Sequence, residues 1–257
     1  MRLNLQHWSL LSLLLLLIST SASAATRFAP VEALLEGATP QTQGLTLELP
    51  LVADNGASVD LSIRFDAALA EGDQLESITL FATENPRADI LRASFLDPRV
   101  EPQLSTRIRL NQSQTVIAVA RSQQGQFWIA EQQVRVTVSG CLIGGDETQI
   151  TSMQQPRIAL PRRLQAGRSI DIRTLINHPM ETGLTQVIGE PPRAQNLIES
   201  FTLELDQQPA LHLELHTGVA ANPYFRFGLI LPASAQASFI WQDQQGDMLR
   251  EERQLQL

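Results

Sequence analysis

The chain contains no lysine; all 19 of its basic residues are arginines. Lysine Schiff bases, a pyridoxal-phosphate site and a phosphate loop ending in lysine all need a primary amine, so each is excluded. Only one cysteine is present, Cys141, so an intrachain disulfide is impossible. Positive charge is scarce as well: the net charge is −8 and the pI about 5.0. Nucleic acids and anionic membranes recruit basic patches, so neither is expected as a partner. Long apolar runs are missing except near the start, where Leu10 to Ile18 falls short of the roughly 20 residues that span a bilayer.

That short run has the form of an export leader. Arg2 supplies a positive start, the apolar stretch follows, and Ala22-Ser23-Ala24 is a small-x-small cleavage signal. The expectation is cleavage near Ala24, with residues 1–24 as signal peptide, and a soluble periplasmic protein. No cysteine stands at the cleavage point to take a lipid anchor. What remains is about 230 residues, enough for two domains. At 43% hydrophobic and 18% charged, the composition can build a real core.

The residue pattern is that of strands. Alternation marks Leu45 to Leu49, Val59 to Phe65, Ile78 and Leu80, Thr106 to Leu110, Thr115 to Ala120 and Phe127 to Val138. Turn signals lie between them at Asp54-Asn55-Gly56, Glu71-Gly72-Asp73, Asn85-Pro86 and Gln124-Gly125. A short helix over Pro30 to Leu35 opens the series. The pattern lapses between Leu142 and Gln155, which reads as a linker. It resumes at Ile170 to Ile172, Phe201 to Leu205, Leu211 to Leu215, Tyr224 to Leu231, Phe239 to Trp241 and Leu249 to Leu257, with a hairpin turn at Asp206 to Pro209. The expected fold is all-β: two immunoglobulin-like β-sandwich domains, 25–141 and 156–257, joined by a flexible linker over 142–155. Trp128 and Trp241 sit in apolar alternation and are expected in the core.

Cys141 follows a strand and is flanked by small residues in the run Ser139-Gly140-Cys141-Leu142-Ile143-Gly144-Gly145. In an oxidising compartment a leftover cysteine suggests either an intermolecular bond or a thiol kept for its reactivity. A buried core cysteine is the bland alternative. His178 could pair with Cys141 as a cysteine–histidine nucleophile, or simply belong to an Asn177-His178-Pro179 turn. His212, Glu214 and His216 fall on one face of a strand, the spacing of a histidine–carboxylate metal site. The same alternation is that of a solvent-facing strand over buried Leu211, Leu213 and Leu215, and no metal site is assigned. A third class, a structural or adhesive β-module, would leave Cys141 dispensable.

Longer stretches carry a resemblance. "LPLVADNGASVDLSI", "ITLFATENPRADI", "LSTRIRLNQSQTVIAVA" and "GQFWIAEQQVRVTVSGC" resemble successive parts of SoxY, the sulfur-carrier subunit of the thiosulfate-oxidising Sox system. "PRIALPRRLQAGRSIDIRTLINHPMETG" and "HTGVAANPYFRFGLIL" resemble its partner subunit SoxZ. The resemblance implies a SoxY–SoxZ fusion whose halves pack together, with Cys141 as the covalent carrier thiol and no resident cofactor beyond the sulfur adduct itself. It further implies three partners: a conjugating cytochrome, a thiol hydrolase and a sulfur dehydrogenase. The family arm is Gly-Gly-Cys-Gly-Gly at a free carboxyl terminus. Here Leu142 and Ile143 follow the thiol and the chain continues, which also resembles fused carriers associated with quinoprotein dehydrogenases.

Overall fold

The computed structural model describes residues 27–139, 153–154, 156–184 and 193–257. The expected leader, Gly140, Cys141, Leu142, Ile143, Gly144 and Gly145, and all of the expected linker except Met153 and Gln154 lie outside the described residues. One helix, α1 (Ala29–Leu35), precedes β1 (Leu45–Glu48), β2 (Val52–Ala53), β3 (Val59–Phe65), β4 (Leu75–Ala82), β5 (Asp89–Phe95), β6 (Val100–Ile108), β7 (Gln114–Ser122) and β8 (Phe127–Val136). The second half holds β9 (Arg157–Ala159), β10 (Ser169–Leu175), β11 (Ile198–Leu205), β12 (Gln208–Leu215), β13 (Tyr224–Ile230), β14 (Ala235–Asp243) and β15 (Met248–Leu255).

The alternation read from sequence is the alternation of burial. In β3, Val59, Leu61, Ile63 and Phe65 point inward while Asp60 and Arg64 face water. Strands β4 and β7 break the pattern and are buried on both faces. The reason is α1: Val31 and Leu35 cover Phe81, Ile117, Val119, Phe127 and Ile129 on the outer side, forming a second small core. Trp128 and Trp241 are both fully buried. Trp128 meets Phe65 edge-on at 4.8 Å, and Trp241 packs on Phe201 at 5.2 Å. The hairpin between β11 and β12 turns on Asp206 and Gln207, with φ of 52° and 67°. Two consecutive left-handed residues make the turn whose twist matches its strands. Asp206 sustains it by accepting the Gln236 N–H on its side chain and donating its own N–H to the Gln236 carbonyl.

The halves form two sandwiches, yet neither sheet stops at the boundary between them. A six-stranded sheet runs β1-β3-β6-β13-β10-β9 and a nine-stranded sheet runs β15-β14-β11-β12-β5-β4-β7-β8-β2. Each crosses the boundary once, through β6·β13 and through β5·β12. In the second seam Leu91, Ala93 and Phe95 stand opposite Leu215, Leu213 and Leu211. In the first, Leu104 pairs with Phe227 and Val100 with Leu229. One apolar core runs through both halves without interruption.

This seam explains where expectation and structure differ. Strand β5 is absent from the strands read from sequence, although Leu91, Ala93 and Phe95 alternate with Arg92 and Ser94 and the Asn85-Pro86 turn precedes it. It forms because β4 pairs with it on one side and β12, from the other half, on the other. Strand β6 starts at Val100 rather than Thr106 because β13 supplies partners for its first residues. Its expected end at Leu110 is lost because the Arg109 N–H leaves the ladder for the Gly218 carbonyl. Strand β8 ends at Val136, two residues early, where its last partner β2 also ends. Strands β2 and β9, three residues or fewer, are too short to show a period.

Burying a leucine or phenylalanine contributes about 1.5–3 kcal/mol, and the seam holds several that are at most 8% exposed. At the far edge Arg99 links Asp97 (2.8 Å) and, across the boundary, Asp206 (3.1 Å). Being partly exposed, that pair adds little beside the apolar seam. Cutting the chain between Gly145 and Gln155 should therefore leave the two pieces co-eluting on a sizing column at micromolar concentration. Elution as two separate monomers would contradict a shared core of this size.

Candidate functional site

Strand β8 carries the chain toward Cys141, and its exit is held on several sides. Val134 is fully buried, anchoring the strand's last turn-free stretch. The Val136 N–H donates to Ser113 Oγ (3.0 Å), and the Thr137 N–H to the Ala53 carbonyl (3.0 Å). Thr137 Oγ1 donates to the Asp54 carbonyl (2.8 Å), and the Val138 carbonyl accepts from the Gly56 N–H (2.8 Å). The last described residue before the thiol, Ser139, donates its hydroxyl to Asn111 Oδ1 at 3.0 Å. Of the expected arm residues, Ser139 alone is placed; the carrier thiol and the rest lie outside the described residues.

Asn111 belongs to a chain of polar contacts. Its N–H donates to Asn85 Oδ1 (2.9 Å), which also accepts from Gln114 Nε2 (2.9 Å). Asn85 Nδ2 donates to the Arg109 carbonyl (2.9 Å). The Arg109 guanidinium then reaches the other half, donating to the carbonyls of Met180 (2.5 Å) and Pro179 (3.0 Å). Asn85, Arg109 and Asn111 were not singled out from sequence. Asn85-Pro86 was legible as a turn, but nothing local announces that its amide organises the exit of a strand fifty residues on.

His178 occupies the segment after β10 and is fully buried. Its Nδ1 accepts the Met180 N–H at 3.1 Å, which places the proton of the neutral ring on Nε2. Its own N–H donates to Asn222 Oδ1 (3.0 Å), and its carbonyl accepts the Asn222 N–H (2.8 Å). Burial holds the imidazole below its ordinary value; Asp243 and Asn196 pull it upward and Arg109 pushes it down again. A depressed histidine favours folding only while neutral, so its contribution is intact above the unfolded value near 6.5 and is lost as pH falls below it. Urea midpoints should therefore drop between pH 7 and pH 5.5, and His178→Asn should flatten that dependence while lowering stability at both. The lowered carboxyls of Asp97, where the Arg99 hydrogen bond leads, and of Asp206 act in a separate window below about 4.

His212, Glu214 and His216 do not converge. His212 Nδ1 lies 2.9 Å from Thr202 Oγ1, Glu214 faces water opposite Arg92 and Ser200, and His216 lies beyond the end of β12. Among the described residues no three His, Cys, Asp or Glu side chains form a group able to hold a metal ion. Among them, too, no helix is long and apolar enough to cross a membrane.

The architecture defines the class: an all-β protein of two sandwich halves built as a fused pair, with its single thiol just past the last strand of the first half. The family described as "Sulfur oxidation protein SoxY" matches residues 31–141, and "Sulphur oxidation protein SoxZ" matches 158–254. The chain belongs to both families and is a SoxY–SoxZ fusion, a carrier of the Sox sulfur-oxidation type. Among solved structures it is similar to the sulfur carrier protein SoxY from Chlorobium limicola f thiosulfatophilum, at 23% identity and a TM-score of 0.37, over 45% of this chain and 100% of that one. It is also similar to a superoxide reductase (neelaredoxin) from Ignicoccus hospitalis, at 18% identity and a TM-score of 0.34, over 37% of this chain and 81% of that one. Likenesses at these scores bear on neither function nor site. A search of curated proteins finds no match.

Proposed function

We propose that this protein is an exported, periplasmic carrier that holds sulfur-compound intermediates covalently on Cys141 and presents them to partner enzymes. The observation that carries the reading is the end of the SoxY match at residue 141, which is the lone cysteine itself. Covalent geometry keeps that residue within about 7 Å of the Ser139 Cα, because each step along the chain covers no more than about 3.8 Å. The thiol thus follows a strand exit that Ser113, Ala53, Asp54, Gly56 and Asn111 of the first half hold by hydrogen bonds.

The chemistry follows from the thiolate, the nucleophilic form of cysteine. With thiosulfate as cargo, a sulfur–sulfur bond forms between Sγ and the outer sulfur of the anion. One proton leaves the thiol and two electrons leave one at a time, each taken up by a one-electron haem acceptor of a conjugating cytochrome. A thiol hydrolase then adds water to release sulfate and leave a persulfide, which a sulfur dehydrogenase oxidises further. The carrier needs no cofactor of its own, since the adduct is cargo. His178 offers little as a catalytic base for Cys141: its Nδ1 is already an acceptor and its ring is buried. Fusion of the two subunits, together with Leu142 and Ile143 beside the thiol, also favours a second reading, a related carrier serving a quinoprotein dehydrogenase system with different cargo.

The test is the intact mass of the exported protein with and without reductant. Reductant-labile increments of sulfane sulfur or thiosulfonate on Cys141 are expected for the first reading. An organic adduct would support the second, and a permanently unmodified thiol would remove both.

A further inference from the structure

We propose that Arg109 is a positioning residue that fixes the exit of the carrier strand against the SoxZ half, so that a partner enzyme meets the root of the carrier arm at Ser139 and the SoxZ surface in one fixed relation. The inference rests on the carrier reading above and concerns how the carried group is presented.

Among the described residues, Arg109 carries the polar chain from Ser139 across to the second half. On its backbone side it connects to the exit through two residues: its carbonyl accepts Asn85 Nδ2, Asn85 Oδ1 accepts the N–H of Asn111, and Asn111 Oδ1 receives the Ser139 hydroxyl. On its side-chain side two guanidinium nitrogens grip successive carbonyls, Pro179 and Met180. Its own N–H donates to the Gly218 carbonyl at 2.7 Å. The gripped segment is stiff. Met180 is fully buried with φ of 48°, its sulfur accepts the Ile198 N–H at 3.3 Å, and the preceding His178 is locked to Asn222. The same segment receives the chain again after the thiol, because the Gln154 N–H donates to the Asn177 carbonyl at 3.1 Å. Both roots of the stretch bearing Cys141 are therefore fastened to elements that Arg109 joins. A planar fork that reaches two carbonyls fixes direction as well as distance, which a lysine ammonium cannot reproduce with a single point of contact.

The sole cysteine makes the test direct. A nitroxide attached to Cys141 in the full chain reports motion by its electron paramagnetic resonance line shape. Arg109→Met should shorten the label's correlation time about threefold. Arg109→Lys, which keeps the charge on a single nitrogen, should fall between the two. Arg99→Met, which removes a cation bridging the halves at the opposite edge, should leave the spectrum unchanged, separating positioning from general weakening of the seam. In loading by a Sox-type conjugating cytochrome with thiosulfate, Arg109→Met should raise KM for the carrier about tenfold with kcat within twofold. Iodoacetamide labelling, which needs no docking, should hold its rate. Wild-type mobility and KM in Arg109→Met would overturn the proposal, as would equal changes in Arg99→Met. If Arg109→Met does not fold, unaltered mobility and KM in Arg109→Lys would overturn it. A wild-type thiol that accepts no cargo would defeat the carrier reading, while the line shapes would still decide whether Arg109 positions the exit.

Discussion

Replacing Cys141 by serine should abolish carriage altogether while leaving the fold intact. Serine differs by one atom, but its hydroxyl does not ionise near neutral pH and forms no sulfur–sulfur bond. No second thiol exists to take over. Reconstituted with the conjugating cytochrome, the hydrolase and the dehydrogenase, the serine variant should give no cargo-dependent electron flow above background. Its intact mass should be the same with and without reductant. Its thermal midpoint should match the wild type, because the substitution changes one atom and alters no residue of the described sheets, seam or core. Retained turnover in Cys141→Ser would move the carrier function away from the thiol.

The second large effect is expected at Leu142 and Ile143. A carrier arm enters enzyme channels, and each side chain beside the thiol demands width there. A channel shaped around glycine meets Leu142 as added bulk, and forcing bulk into a close-packed site costs on the order of 1–3 kcal/mol. At about 1.4 kcal/mol per factor of ten, that is roughly 10- to 100-fold in productive engagement. A partner shaped for this arm instead gains the apolar burial of both side chains. Replacing both by glycine should therefore speed loading by a conjugating enzyme from a two-subunit Sox system and slow loading by this protein's own partner. The measurement is the initial rate of Cys141 modification by each enzyme for each arm. Identical rates with the two-subunit system's enzyme would show that the two residues carry no specificity.

Local periodicity made most of the strands legible. Whether Val59, Leu61, Ile63 and Phe65 share a face depends only on the two-residue repeat of extended backbone, so it can be read without knowing the partner. The same holds for the buried tryptophans, the hairpin turn at Asp206 and the leucine face of β12 behind His212 and Glu214. The site was legible in a narrower sense. A lone cysteine among glycines after a strand is a chemical signal carried by residue type, and the stretches resembling SoxY and SoxZ lie in the regions matched by those two families.

By itself, then, the sequence determined the composition of the strands, the absence of lysine chemistry and of intrachain disulfides, the division into two halves, and the identity of the one thiol. Only the tertiary structure decided that the halves share both sheets, that Asp89–Phe95 is a strand, and that Arg109 spans the boundary. The physical reason is range. A strand such as β5 is specified by partners on both sides, and one of them, β12, lies more than a hundred residues away. Arg109 finds its carbonyls 70 and 71 residues along the chain. No window of sequence contains both ends of such a contact, and its side chain looks like any outward arginine until the second half folds against it.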